Sequence, residues 1–192
     1  MTSALMLNRI DGSPLSTSFR RAAFGKDDPF ARNREIAWEG ANAMAAGRTS
    51  FIGELEVASY PHLETLVVSQ GELTLTEAGT APVVLGPQAG AVIACGTSIR
   101  IHAASRVQFS FCAAACEKPT RRGLISLRVD ADFKPSASLP PEALLGPAPE
   151  CRSDNLFTED AAGYRAGTWD STPYHRIVRP HRQNEFMHLV AG

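Results

Sequence analysis

Between Ser50 and Val129 the apolar positions recur with the period of a half-buried strand. Leu73 and Leu75 alternate with Thr74 and Thr76, and Val107, Phe109 and Phe111 alternate with Gln108, Ser110 and Cys112. The stretch from Thr65 to Glu77 reads as two β-prone segments around Gly71, and Gly79 and Pro82 punctuate a turn after it. Ala91 to Cys95 is a short apolar run bounded by Gly90 and Gly96, and Leu124 to Val129 is another. Short strands at even spacing, separated by turn residues, predict an all-β domain closed as a small sandwich or barrel.

The flanks differ. Residues 1–35 lack a sustained pattern, are broken by Pro14, Gly25 and Pro29, and read as an arm with a short helix near Ser16 to Ala23. Residues 36–130 hold the barrel pattern. Residues 131–155 carry Pro135, Pro140, Pro141, Pro147 and Pro149 among Ser and Ala, the composition of an extended linker. Residues 156–192 restart the β pattern, with an internal echo. Ala46 to Gly71 and Ala166 to Gly192 both open on Ala-Gly and pass through a Pro-His pair (Pro61-His62, Pro180-His181). Each then reaches a glutamate, Glu64 or Glu185, followed by six mostly apolar residues and a glycine. This predicts two copies of one β unit, the second incomplete. An unfinished unit bearing Phe186, Met187, Leu189 and Val190 needs cover, which is expected from a sheet edge of the first barrel or of a second subunit in a homodimer.

Composition removes several function classes. A net charge of -1 and a pI near 6.5 argue against bulk attraction to nucleic acid or an acidic membrane surface. No apolar run approaches the ~18 residues of a membrane span, and the first residues lack the basic and apolar regions of a signal peptide. Four cysteines without a CxxC pair fit reduced thiols in the cytoplasm. No phosphate-cradling glycine loop, HExxH or GxSxG occurs.

The glutamate, six residues and glycine resemble the closing half of the first cupin motif, and the stretch from Gly90 to His102 resembles a worn second motif. The tail phrase GTWDSTP and its spacing to Gly192 are similar to the two-barrel (bicupin) relatives of ureidoglycine aminohydrolase-type cupins. The resemblance implies a jelly-roll barrel whose mouth can hold a metal, followed here by a linker and an incomplete second cupin unit. Carried over by position, it makes Glu185 and His181 metal ligands for Mn, Zn, Ni or Fe, with Arg179 where the first motif histidine would stand. In the first copy Glu64 matches, but Ala58 and Tyr60 occupy the histidine positions, so that barrel is expected not to bind metal. His62 and His102 are expected on a loop and a strand face.

Beside the metal pair, Arg179 is a candidate clamp for a planar anionic group, and Trp169 and Tyr174 are candidate pocket walls. Equally ordinary readings are a solvated basic strand and core aromatics. Two function classes stand: a small-molecule-binding or structural cupin module without turnover, and a metal-dependent enzyme acting on a small nitrogenous acid. Fold likeness alone does not choose a reaction, and catalysis ranks second.

Overall fold

The alternating segments form strands, and no α-helix occurs among the described residues. The structure, a computed structural model, describes residues 4–191 apart from Pro14, Asn42, Val129, Ser138 and residues 179–182. Two long strands, β3 (Met44–Val57) and β8 (Ile99–Ala114), pair antiparallel along their whole length and form a spine. The pairing slips between Phe51 and Gly53, where Gly53 takes a φ of 106°, so the spine bends there.

Each half of β8 then has its own second neighbour. Its later half pairs with β4 (Leu63–Gln70), which continues to β7 (Gly90–Ile93) and β9 (Leu124–Leu127). Its earlier half pairs with β5 (Leu73–Glu77), which continues to β6 (Val83–Leu85). On the other side of the spine lie β2 (Arg34–Gly40) and the two-residue β1 (Arg20–Arg21). The sheet therefore folds over a core of Ile36, Phe51, Leu66, Val68, Leu73, Leu75, Ile93, Ile101, Val107, Phe109 and Phe111.

The predicted alternation is seen directly: Leu73 and Leu75 are buried with Thr74 half-exposed between them, and Val107 and Phe109 flank an exposed Gln108. Three expectations are corrected. Ser16 to Ala23 holds β1 rather than a helix. The barrel strands begin at Arg20, and the stretch read as an arm sends Phe30 and Arg34 into the core with no measurable exposure. Within the stretch read as a linker run β10 (Lys134–Pro135) and the start of β11 (Cys151–Glu159).

β10, β11 and β12 (Tyr164–Ser171) form a separate three-stranded sheet. It does not extend an edge of the barrel sheet. Its β11–β12 hairpin lies on the outer face, where Phe157 and Tyr164 pack with Leu63, Val92, Ala94, Cys95 and Ala114 as a second core. This explains why β4 from Leu63 to Val68 and all of β7 are buried without alternation: one side faces the barrel interior and the other faces the hairpin. Tyr164 fixes the contact through hydrogen bonds to Thr65 Oγ1 (2.7 Å) and the Cys112 carbonyl (3.1 Å).

The β2–β3 and β11–β12 hairpins share one irregularity. In the first, a bulge between Ile36 and Trp38 places Trp38 opposite Ala46 and Ile36 opposite Gly47. In the second, a bulge between Asn155 and Phe157 places Phe157 opposite Ala166 and Asn155 opposite Gly167. In both, a Cβ on the glycine would collide with a backbone carbonyl oxygen across the ladder, that of Glu35 or Asp154. The glycine of the repeated Ala-Gly pair is thus required twice by the same local geometry.

A guanidinium lodged inside the barrel

On β4 the side chains of Glu64, Leu66 and Val68 share a side, because a strand's side chains alternate, and Leu66 and Val68 lie in the main core. A carboxylate is thereby carried into an apolar interior, where an unpaired charge would be prohibitively costly. Arg34 meets it. Both residues have fully buried side chains. The Arg34 guanidinium donates from Nη1 to Glu64 Oε1 (3.1 Å) and from Nη2 to Oε2 (2.9 Å). On its other edge it donates from Nε to Asp28 Oδ2 (2.7 Å) and from Nη2 to Oδ1 (2.8 Å). Its face lies over the Phe111 ring, 4.1 Å from the centroid.

The surrounding hydrogen bonds complete the arrangement. Asp28 also accepts from the backbone N–H of Phe24 (2.7 Å) and Phe30 (3.0 Å), so its geometry is set by the turn that carries it. Glu64 Oε2 accepts from the Tyr60 hydroxyl (2.8 Å) and lies 2.8 Å from His62 Nε2. A carboxylate only accepts, so Nε2 carries the hydrogen in that bond. The His62 ring stands edge-on to Phe24 and Tyr60.

Protonation follows from these contacts. Burial alone would raise the Glu64 pKa, but Arg34 and the hydrogen bond from His62 overcome it and hold the group at about 2. For Arg34 burial works against the charge, yet Glu64 and Asp28 hold it firmly protonated. Burial, then the charge on Glu64, pushes the Tyr60 hydroxyl well up and the Cys112 thiol to about 11. Tyr60 is therefore a hydrogen-bond donor at neutral pH, and Cys112 is an inert thiol.

The motif carboxylate of the first copy, Glu64, is thus committed to a guanidinium. Both its oxygens accept from Arg34, and Ala58 and Tyr60 stand at the histidine positions. Among the described residues no group of three or more His, Cys, Asp or Glu is placed to hold a metal. His62 lies on a bend before β4, as expected of a loop residue, and is buried in the network, while His102 is on β8 and faces solvent as expected. Of the residues singled out in the tail, Trp169 lies on β12 and is 55% exposed, Tyr174 is half-buried beyond that strand, and Glu185 is exposed. Arg179 and His181 lie outside the described residues. Asp28 and Arg34 belong to no motif in the sequence, and Tyr60 is marked there only as standing at a motif histidine position. The available signal was Arg34 two residues before Ile36, which places a charge on the inward side of a strand.

A bent antiparallel spine with paired strands over both of its halves defines a double-stranded β-helix, the all-β jelly-roll barrel of the cupin class. No family model and no curated protein matches the sequence. Among solved structures, a protein of unknown function of the DUF861 family from Pseudomonas syringae pv. tomato str. DC3000 is 40% identical, with a TM-score of 0.88 over 93% of this chain and 76% of that one. The chain belongs to the DUF861 family. Looser alignments reach a cupin-2 domain containing protein from Shewanella frigidimarina NCIMB 400 (15% identity, TM-score 0.36, 40% of this chain and 74% of that one). They also reach a cupin superfamily protein from Desulfitobacterium hafniense DCB-2 (13% identity, TM-score 0.36, 52% of this chain and 99% of that one).

Proposed function

We propose that this cupin-fold chain is a non-catalytic binding or structural module whose barrel interior is closed by the Asp28–Arg34–Glu64 network. One observation carries the reading: a fully buried guanidinium is bonded on two edges by carboxylates, one of them the motif glutamate. A permanent cation here neutralises the acidic groups that a metal ion would need as ligands, and neither Arg34 nor a donor-only Tyr60 can take up a proton in turnover. The side chains of Phe30, Tyr60, Phe109 and Phe111, all fully buried, occupy the surrounding space.

The alternative from the sequence resemblance is a metal-dependent enzyme acting on a small nitrogenous acid, with His181 and Glu185 as ligands and Arg179, Trp169 and Tyr174 around the substrate. It would place chemistry in the tail rather than in this barrel. Elemental analysis separates the two. Protein purified without chelator and then dialysed against Mn, Zn, Ni or Fe is expected to retain substoichiometric metal. Stoichiometric metal that His181→Ala or Glu185→Ala removes would overturn the proposal in favour of the enzyme.

A further inference from the structure

Along β2 and β3 the inward positions, Arg34 and Ile36 on one and Thr49 and Phe51 on the other, are buried, so the residues between them face outward, and these build a second feature. A groove of about 300 Å³ opens on that outer surface, its lining including Arg21, Glu35, Arg48, Ser50, Arg106 and Gln108. Register explains the convergence: Arg21 lies opposite Glu35, Glu35 opposite Arg48, and Ser50 opposite Gln108, so four strands contribute to one surface.

Three guanidinium groups face one carboxylate there, in a chain whose net charge is -1. The basic character is local. Two of the arginines are oriented: Arg48 donates to Glu35 at 2.6 Å and stacks on Phe19 (4.0 Å to the centroid), and Arg106 donates to Ser50 Oγ at 3.1 Å. Arg21 and Arg106 have no carboxylate partner among the described residues. Glu35 offsets one positive charge and leaves two, and Asn33 and Gln108 are neutral polar residues of the lining.

We infer that this groove binds a small organic dianion, a dicarboxylate or a phosphate monoester. Two uncompensated guanidinium groups match two negative charges, and their planar forks suit carboxylate or phosphate oxygens. A volume of about 300 Å³ is sufficient for a compact metabolite. The inference goes beyond the closed-barrel proposal and does not depend on it, because no groove residue belongs to the Asp28–Arg34–Glu64 network.

The test is calorimetric titration of the full chain with succinate, inorganic phosphate and chloride at matched ionic strength. Saturable one-site binding is expected for succinate, phosphate or both. Preference for succinate identifies a dicarboxylate ligand, and preference for phosphate a phosphorylated one. Arg21→Gln and Arg106→Gln should each weaken binding about tenfold. Glu35→Gln should tighten it, since the competing carboxylate is gone. Far-ultraviolet circular dichroism establishes that each variant is folded. A chloride response equal to that of the dianions, unchanged affinity in both arginine variants, or no saturable binding at all would overturn the inference. None of these results would bear on metal content.

Discussion

Glu64 shows how a single carboxylate couples burial to pH. Its pKa falls from an ordinary value of 4.5 to about 2 in the folded chain, so the unfolded state binds the proton more readily. The stabilisation is therefore fully present above pH 4.5 and is lost as pH falls from there towards about 2. Its size is on the order of 3 kcal/mol. Denaturant unfolding as a function of pH should show this loss. Glu64→Gln should be less stable at neutral pH but flatter across the same acid window, and an equally steep acid limb in the variant would show that other groups set the limb. At this scale the sequence was only partly legible. Glu64 stood out through its spacing to Gly71, but the partner that defines its role did not. Arginine is ordinarily a surface residue, and only the folded chain brings Arg34, thirty positions earlier, against Glu64. His62 lies on a bend before β4, as a loop residue should, but its burial against Glu64 depends on the folded chain.

At the scale of elements, the paired hairpins make the strongest link between sequence and structure. The Ala-Gly repeat was visible in the chain, but its cause was not, because a bulge depends on the partner strand. Gly47 and Gly167 each face a backbone carbonyl at a distance that no Cβ tolerates. Gly47→Ala and Gly167→Ala should therefore each destabilise by about 1–3 kcal/mol, through forced backbone shifts rather than lost contacts. Equal stability of either variant to the parent in urea unfolding would contradict the shared geometry. The period-2 strands around Leu73 and Val107 were read directly, since one of their faces is solvated. β7 was legible only as an apolar run; that a hairpin from beyond the proline-rich stretch covers its second face was not.

At the scale of the whole molecule, two packings hold the chain together. The β11–β12 hairpin covers Leu63, Val92 and Ala114, so deleting residues 156–192 should expose that apolar face and cost solubility. Sedimentation of the truncated chain checks this; a soluble product that unfolds like the parent would show the hairpin to be dispensable. The other packing is the network itself, which ties the amino-terminal segment around Asp28 and Arg34 to β4. The central claim is that Arg34 serves the fold as a fixed internal cation. Its most direct test is equilibrium unfolding of Arg34→Met beside the triple variant Arg34→Met, Asp28→Asn, Glu64→Gln. The single change should cost about 3–5 kcal/mol, because it strands two buried carboxylates, and the triple change should recover much of that loss. A single variant as stable as the parent would contradict the account.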